Sequence, residues 1–285
     1  MMRYLIMIFA SFLTAFCSPS DEKVKKDGDA HFDSAALTLT PVGTSGVQKW
    51  TWTYRSVDDG VSYDISGFLL KPAGNGPFPA VVISHGKGGS ANDMVGANIG
   101  PKMVEWGLVC IGVNYTHARE ERAAGSPGSG DVRTDMGANQ ANILRAGKCL
   151  QVLRSLGYVD KARIGAYGHS MGAFMTGALA GIFPDSFIVA AHTAGGTAAQ
   201  GAKDWDICTK ASHIAGIKIP YLLHHGEQDA VVPYEHGQAM YLALKNKGVV
   251  TDFIGYPALD HGNIPANPDV LAATKAWFQT HGLMP

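Results

Sequence analysis

The chain carries no long basic run and no Arg-rich helix, and its 23 Lys and Arg against 24 Asp and Glu leave a formal charge of −1. The electrostatic footprint that nucleic acid requires is missing, so no nucleic-acid partner is expected. Cysteine is scarce at four residues, none with the spacing of zinc ligands. No metal site is expected. No internal repeat or low-complexity block follows residue 30, so the remainder reads as alternating elements of one ordinary domain. What is plentiful points the same way. With 46% hydrophobic and 16% charged residues over 285 positions, the chain can bury one large core. Glycine, at 35 residues, falls largely beside His, Ser or Asp, where tight turns bring backbone N–H groups close to a ligand. A site built from loops is expected.

The first seventeen residues hold one cation, Arg3, and then a thirteen-residue apolar run from Tyr4 to Phe16. That run is too short for a hydrocarbon layer of about 30 Å. Residues 1–17 read as a signal sequence and the mature protein as exported: periplasmic, secreted or membrane-anchored. Two readings of Cys17 stay open. Leu13-Thr14-Ala15-Phe16-Cys17 resembles a lipobox, with Phe16 where a small residue is usual, which implies anchoring through a lipidated Cys17. Ordinary cleavage after Cys17 fits an A-x-A-like site made by Ala15 and Cys17. Residues 18–45 read as a tether or N-terminal extension and 46–285 as the catalytic domain. Cys110, Cys149 and Cys208 allow one disulfide or none, and Cys110 and Cys149 suit buried small apolar positions.

Alternation and β-formers at 50–54 and 65–70 predict an antiparallel opening pair. Short apolar runs at 80–84, 109–113, 164–167, 187–191, 221–224 and 253–256 predict strands covered on both faces. Helical stretches lie between them at 100–106, 136–156, 171–182, 234–247 and 270–280. Together these predict an α/β fold with a mostly parallel, eight-stranded sheet between helical layers. Functional residues should then collect at the carboxyl ends of the strands.

Gly168-His169-Ser170-Met171-Gly172 stands between the strand at 164–167 and a helix, the setting in which G-x-S-x-G presents a nucleophile. The pentapeptide alone would arise by chance roughly a quarter of the time in such a chain, so its partners decide. A serine hydroxyl needs a base, and the base needs an acid to hold its tautomer. Past the strand at 221–224 comes His225-Gly226-Glu227-Gln228-Asp229; past the strand at 253–256 comes Asp260-His261-Gly262. These make Ser170 the candidate nucleophile, Asp229 the acid and His261 the base, with Glu227 as rival acid. Asp229 also suits a turn or a helix N-cap. His169, His224 and His225 read as packing or supporting groups, with His169 pointing to another side of the turn. His85-Gly86-Lys87-Gly88-Gly89 follows the strand at 80–84 and suits an oxyanion hole. Its expected donors are the main-chain N–H groups of Lys87 and Met171, with Gly88 as the alternative to Lys87. The loops at 115–135 and 193–216 are expected to shape the pocket, and Trp205 in the second is the candidate substrate wall.

The stretch from Val159 to Gly172, with HGEQDAVVP and the final DHG, resembles the dienelactone hydrolase-like and prolyl-oligopeptidase-like branch of the α/β-hydrolases. The likeness covers about 78–282. It implies the α/β-hydrolase fold and places the family's nucleophile, acid and base on Ser170, Asp229 and His261. Ala173 stands where a third small glycine is frequent. Dienelactone hydrolases proper use cysteine as nucleophile, so Ser170 implies general ester hydrolysis through an acyl-enzyme, without a cofactor. The expected substrate is a small-molecule or polymer ester. A serine peptidase and a non-catalytic binding lipoprotein on the same scaffold are the alternatives.

Overall fold

The computed structural model describes residues 32–43, 47–58, 61–116, 137–199 and 207–285. The signal-like segment, residues 117–135 of the expected 115–135 loop, and Trp205 lie outside them. Among the described residues, no helix is long and apolar enough to cross a membrane.

One sheet organises the molecule. Its strands are β1 (Leu37–Pro41), β2 (Gln48–Asp58), β3 (Val61–Lys71), β4 (Phe78–Ser84), β5 (Val109–Val113), β6 (Val159–His169), β7 (Val189–Thr193), β8 (Tyr221–Gly226) and β9 (Thr251–Tyr256). They lie side by side in the order β1-β2-β3-β5-β4-β6-β7-β8-β9. The first three pair antiparallel, β3 joins β5 antiparallel, and β5 through β9 run parallel. The fold is thus α/β and predominantly parallel, with nine strands among the described residues rather than the expected eight. The additional strand is β1, which falls within the stretch read as an N-terminal extension. Only Leu37 and Leu39 alternate with threonine there, and neither is fully buried. So short and weak a pattern becomes a strand only because β2 offers a free edge.

Alternation along the strands splits the core in two. In β4, Ala80 and Val82 face one layer, whereas Val81 and Ile83 face the other. The first layer is covered by α2 (Gln140–Ser155), α3 (Met171–Ile182), α4 (Ala211–Gly216) and α5 (Tyr234–Asn246). The second is covered by a π-helical stretch (Asn92–Asn98) running into α1 (Ile99–Glu105), and by α6 (Pro268–Thr280). Two helix starts follow ordinary capping chemistry: the Asn139 side chain accepts from the Asn142 N–H, and Asn267 accepts from Asp269 and Val270 ahead of Pro268.

Candidate active site

At the carboxyl end of β6 the chain turns straight into α3, and Ser170 sits at the corner with φ 59° and ψ −125°. That is a left-handed conformation in which a side chain is strained. The corner is possible because the residues two positions before and after it, Gly168 and Gly172, have no side chains. A Cβ on Gly168 would lie 2.2 Å from the Gly172 carbonyl oxygen, and one on Gly172 would lie 2.1 Å from that of Ser84. The Ser170 N–H bonds the Thr193 carbonyl of β7, and its own carbonyl accepts from Ala173 in the first turn of α3. The hydroxyl is thereby held proud of the sheet.

Past β8, Asp229 is folded back by its own turn: Oδ1 accepts the N–H groups of Val231 and Val232, each at 2.8 Å. Its side chain is fully buried. Burial alone would raise its pKa, yet the hydrogen bonds from His225, His261, Val232 and Val231 outweigh it and hold the carboxyl well below the usual range. Asp229 is therefore an anion at neutral pH. Past β9, Asp260 folds the next turn by accepting from Gly262 and Asn263, which presents His261. The two turns are zipped together: the Gln228 N–H bonds the Leu259 carbonyl, and the Gln228 amide bonds that of Pro257. A Cβ on Gly226 would lie 2.2 Å from the Leu259 oxygen, so this approach needs glycine.

The result is a continuous chain of polar atoms. His261 Nδ1 lies 2.8 Å from Asp229 Oδ2, and His261 Nε2 lies 2.9 Å from Ser170 Oγ. Because an ionised carboxylate only accepts, Nδ1 carries the ring proton and Nε2 is left to accept from the serine hydroxyl. Glu227 is exposed, and its Oε1 lies toward Gly255 and Tyr234, away from this line.

The glycine-rich turn after β4 lies against the serine. A Cβ on Gly86 would be 3.3 Å from Ser170 Cβ. The Gly86 carbonyl accepts from His85 Nδ1 at 2.8 Å and from the Gly89 N–H at 3.2 Å, while His85 Nε2 accepts from the Tyr115 N–H. Two bonds to one carbonyl fix the plane of the Gly86–Lys87 peptide and leave the Lys87 N–H on its opposite edge. Met171 is the first residue of α3, so its N–H has no acceptor in the preceding turn.

Two features went unread in the sequence. His169 does not turn away from the site: its ring lies 4.8 Å from that of His261, and Nδ1 bonds Thr193 Oγ1 at 2.9 Å. Burial, with the adjacent His261, pushes its pKa down to about 3, so it stays neutral beside that ring. Gly226 gave a signal only in hindsight, since its role depends on Leu259, thirty-three positions away. Among the described residues no group of three or more His, Cys, Asp or Glu is placed to hold a metal ion.

Residues 65–284 match the model of the dienelactone hydrolase family. The chain belongs to that family. Solved structures of peptidases and esterases share its architecture. An uncharacterised peptidase of Bacillus subtilis (strain 168) is 22% identical over 258 residues, which are 79% of this chain and 38% of the relative. This dienelactone hydrolase relative thus spans well under half the length of the curated peptidase it matches. A Bacteroides ovatus protein provisionally named a dipeptidyl aminopeptidase IV superposes with a TM-score of 0.66 at 20% identity, covering 82% of this chain and 36% of that one. Acetyl xylan esterase 1 from Thermoanaerobacterium sp. JW/SL YS485 superposes with a TM-score of 0.59 at 15% identity, covering 86% and 88%. At such identities the likeness is one of fold.

Proposed function

We propose that this family member is an exported carboxylic ester hydrolase in which Ser170 is the nucleophile, His261 the base and Asp229 the acid that orients it. The reading rests above all on the hydrogen-bonded line from Ser170 Oγ through His261 to Asp229, at 2.9 and 2.8 Å. In the first step His261 Nε2 takes the hydroxyl proton while Oγ bonds to the ester carbonyl carbon. The tetrahedral oxyanion is stabilised by the Met171 and Lys87 N–H groups. Each such donor lowers the barrier by about 2.7–4 kcal/mol in enzymes where it has been removed. Collapse breaks the bond to the alcohol, which leaves with the proton from His261. Water then adds to the acyl-enzyme with His261 again as base, the Ser170 ester bond breaks, and a carboxylic acid departs.

An ester is preferred to a peptide because one neighbour spanned over 88% of its length is an esterase, whereas the two peptidases described above are spanned over 36–38% of theirs. Ser170 in place of the cysteine of dienelactone hydrolases proper supports general ester hydrolysis. Export rests on the apolar run from Tyr4 to Phe16 and is tested by cell fractionation, with Cys17→Ala separating a lipid anchor from simple secretion. The chemistry is tested with chromogenic acyl esters and matched anilides. Ser170→Ala should lower ester turnover by about a thousandfold or more and abolish labelling by a fluorophosphonate. Activity surviving that substitution would remove the mechanism, and anilide turnover above ester turnover would favour a peptidase.

A further inference from the structure

The chain of polar atoms does not stop at Asp229. His225, the penultimate residue of β8, is completely buried. Its Nε2 lies 3.0 Å from the Val232 carbonyl and 3.4 Å from Asp229 Oδ2, the same oxygen that accepts from His261. A carbonyl and a carboxylate both only accept, so Nε2 carries the proton and donates to both ends of the turn that carries the acid. Nδ1 faces inward with no hydrogen-bond partner. An unpaired buried nitrogen is costly, and Leu223, two positions earlier on the same face of β8 and fully buried, shows that an apolar side chain suits this face of the sheet. What an imidazole supplies here, and leucine would not, is the N–H directed at Asp229 and Val232.

The surroundings are shaped for the ring. Tyr234 meets it edge to face at 5.5 Å between centroids. Gly237, inside α5, is where a Cβ would lie 2.7 Å from His225 Nδ1 and 2.8 Å from Phe253 Cε2. A glycine in a helix interior weakens the helix relative to alanine, and here it leaves the space the imidazole occupies.

We infer that His225 is a positioning residue for hydrolysis, gripping the Asp229–Val232 turn from beneath so that Oδ2 stays in line with His261 Nδ1. This rests on the roles proposed for Ser170, His261 and Asp229. The test uses the whole chain and p-nitrophenyl acetate, with Ser170→Ala, His225→Ala, His225→Gln and Gly237→Ala. His225→Ala should lower kcat about tenfold, the scale of one hydrogen bond to a charged group, with KM little changed. The low-field proton resonance of the His261–Asp229 bond should move or broaden. His225→Gln, whose amide N–H can reach the same two oxygens, should restore most of both. Gly237→Ala keeps the imidazole but displaces it, and should lower kcat in the same way; it decides the matter should His225→Ala not fold. Wild-type kcat and an unmoved resonance in His225→Ala or Gly237→Ala, with Ser170→Ala inactive, would overturn this inference alone. Wild-type turnover in Ser170→Ala would overturn the proposed roles and this inference with them.

Discussion

Asp229 and Glu227 sit two positions apart on one loop, and side-chain length separates them. The shorter carboxylate can fold onto the Val231 and Val232 N–H groups while its other oxygen reaches His261. Asp229→Asn should therefore lower kcat by about four orders of magnitude, because an amide offers His261 a donor where it needs an acceptor, whereas Glu227→Gln should leave turnover unchanged; steady-state kinetics on a single ester checks both. A second prediction concerns the histidines that stay neutral. His224 donates from Nε2 to Thr274 and accepts from Tyr256 at Nδ1, and burial holds its pKa down to about 3. Its folded pKa lies below the unfolded value of about 6.5. The unfolded chain consequently binds the extra proton first, and stability falls as pH drops from about 6.5 toward 3. Each such histidine contributes a slope of about 1.4 kcal/mol per pH unit in that window. Urea unfolding between pH 7.5 and 4.5 should show it, and His224→Gln should make the dependence shallower. Asp229 acts in a separate window: its depressed pKa contributes stability present above about 3.9, lost as pH falls further toward its folded value.

The turns between elements owe their shape to glycines whose necessity lies elsewhere in the chain. Gly168 and Gly172 were legible, since G-x-S-x-G between a strand and a helix announces a tight corner. Gly172→Ala should destabilise the protein by about 3 kcal/mol or more, because the added carbon would meet the Ser84 carbonyl at 2.1 Å; thermal melting measures it. Gly67 was not legible. It pairs with Trp52 across β2 and β3, and its missing side chain lets the indole lie over the strand and donate to the Gly112 carbonyl at 3.1 Å. Trp52→Ala should cost about 3–5 kcal/mol in urea unfolding. Such a loss would identify the antiparallel end of the sheet as an integral part of the core. The helix α4 was also missed, for six residues are too few to establish a period. It exists because Gly181 and Gly216 allow it to lie directly against α3.

Over the whole molecule, the three described cysteines are free and buried rather than paired. Burial pushes all three thiols up, Cys208 to about 12. They should resist iodoacetamide at pH 8 until the protein is unfolded, with no change in melting temperature on adding reductant; mass spectrometry of the alkylated chain reads this directly. Most of the sheet could be read from the order of apolar runs, because strands covered on both faces need continuous hydrophobic sequence. Local chemistry likewise singled out Ser170, Asp229 and His261, since each stands in a glycine-containing turn just beyond such a run. The chain order alone does not bring them to 2.8 and 2.9 Å. That distance depends on Gly226 meeting Leu259, on His169 lying against His261, and on His225 reaching Asp229 from inside the sheet. Each is a contact between residues whose neighbourhood exists only after β6, β8 and β9 have aligned, so no local pattern of residues carries it.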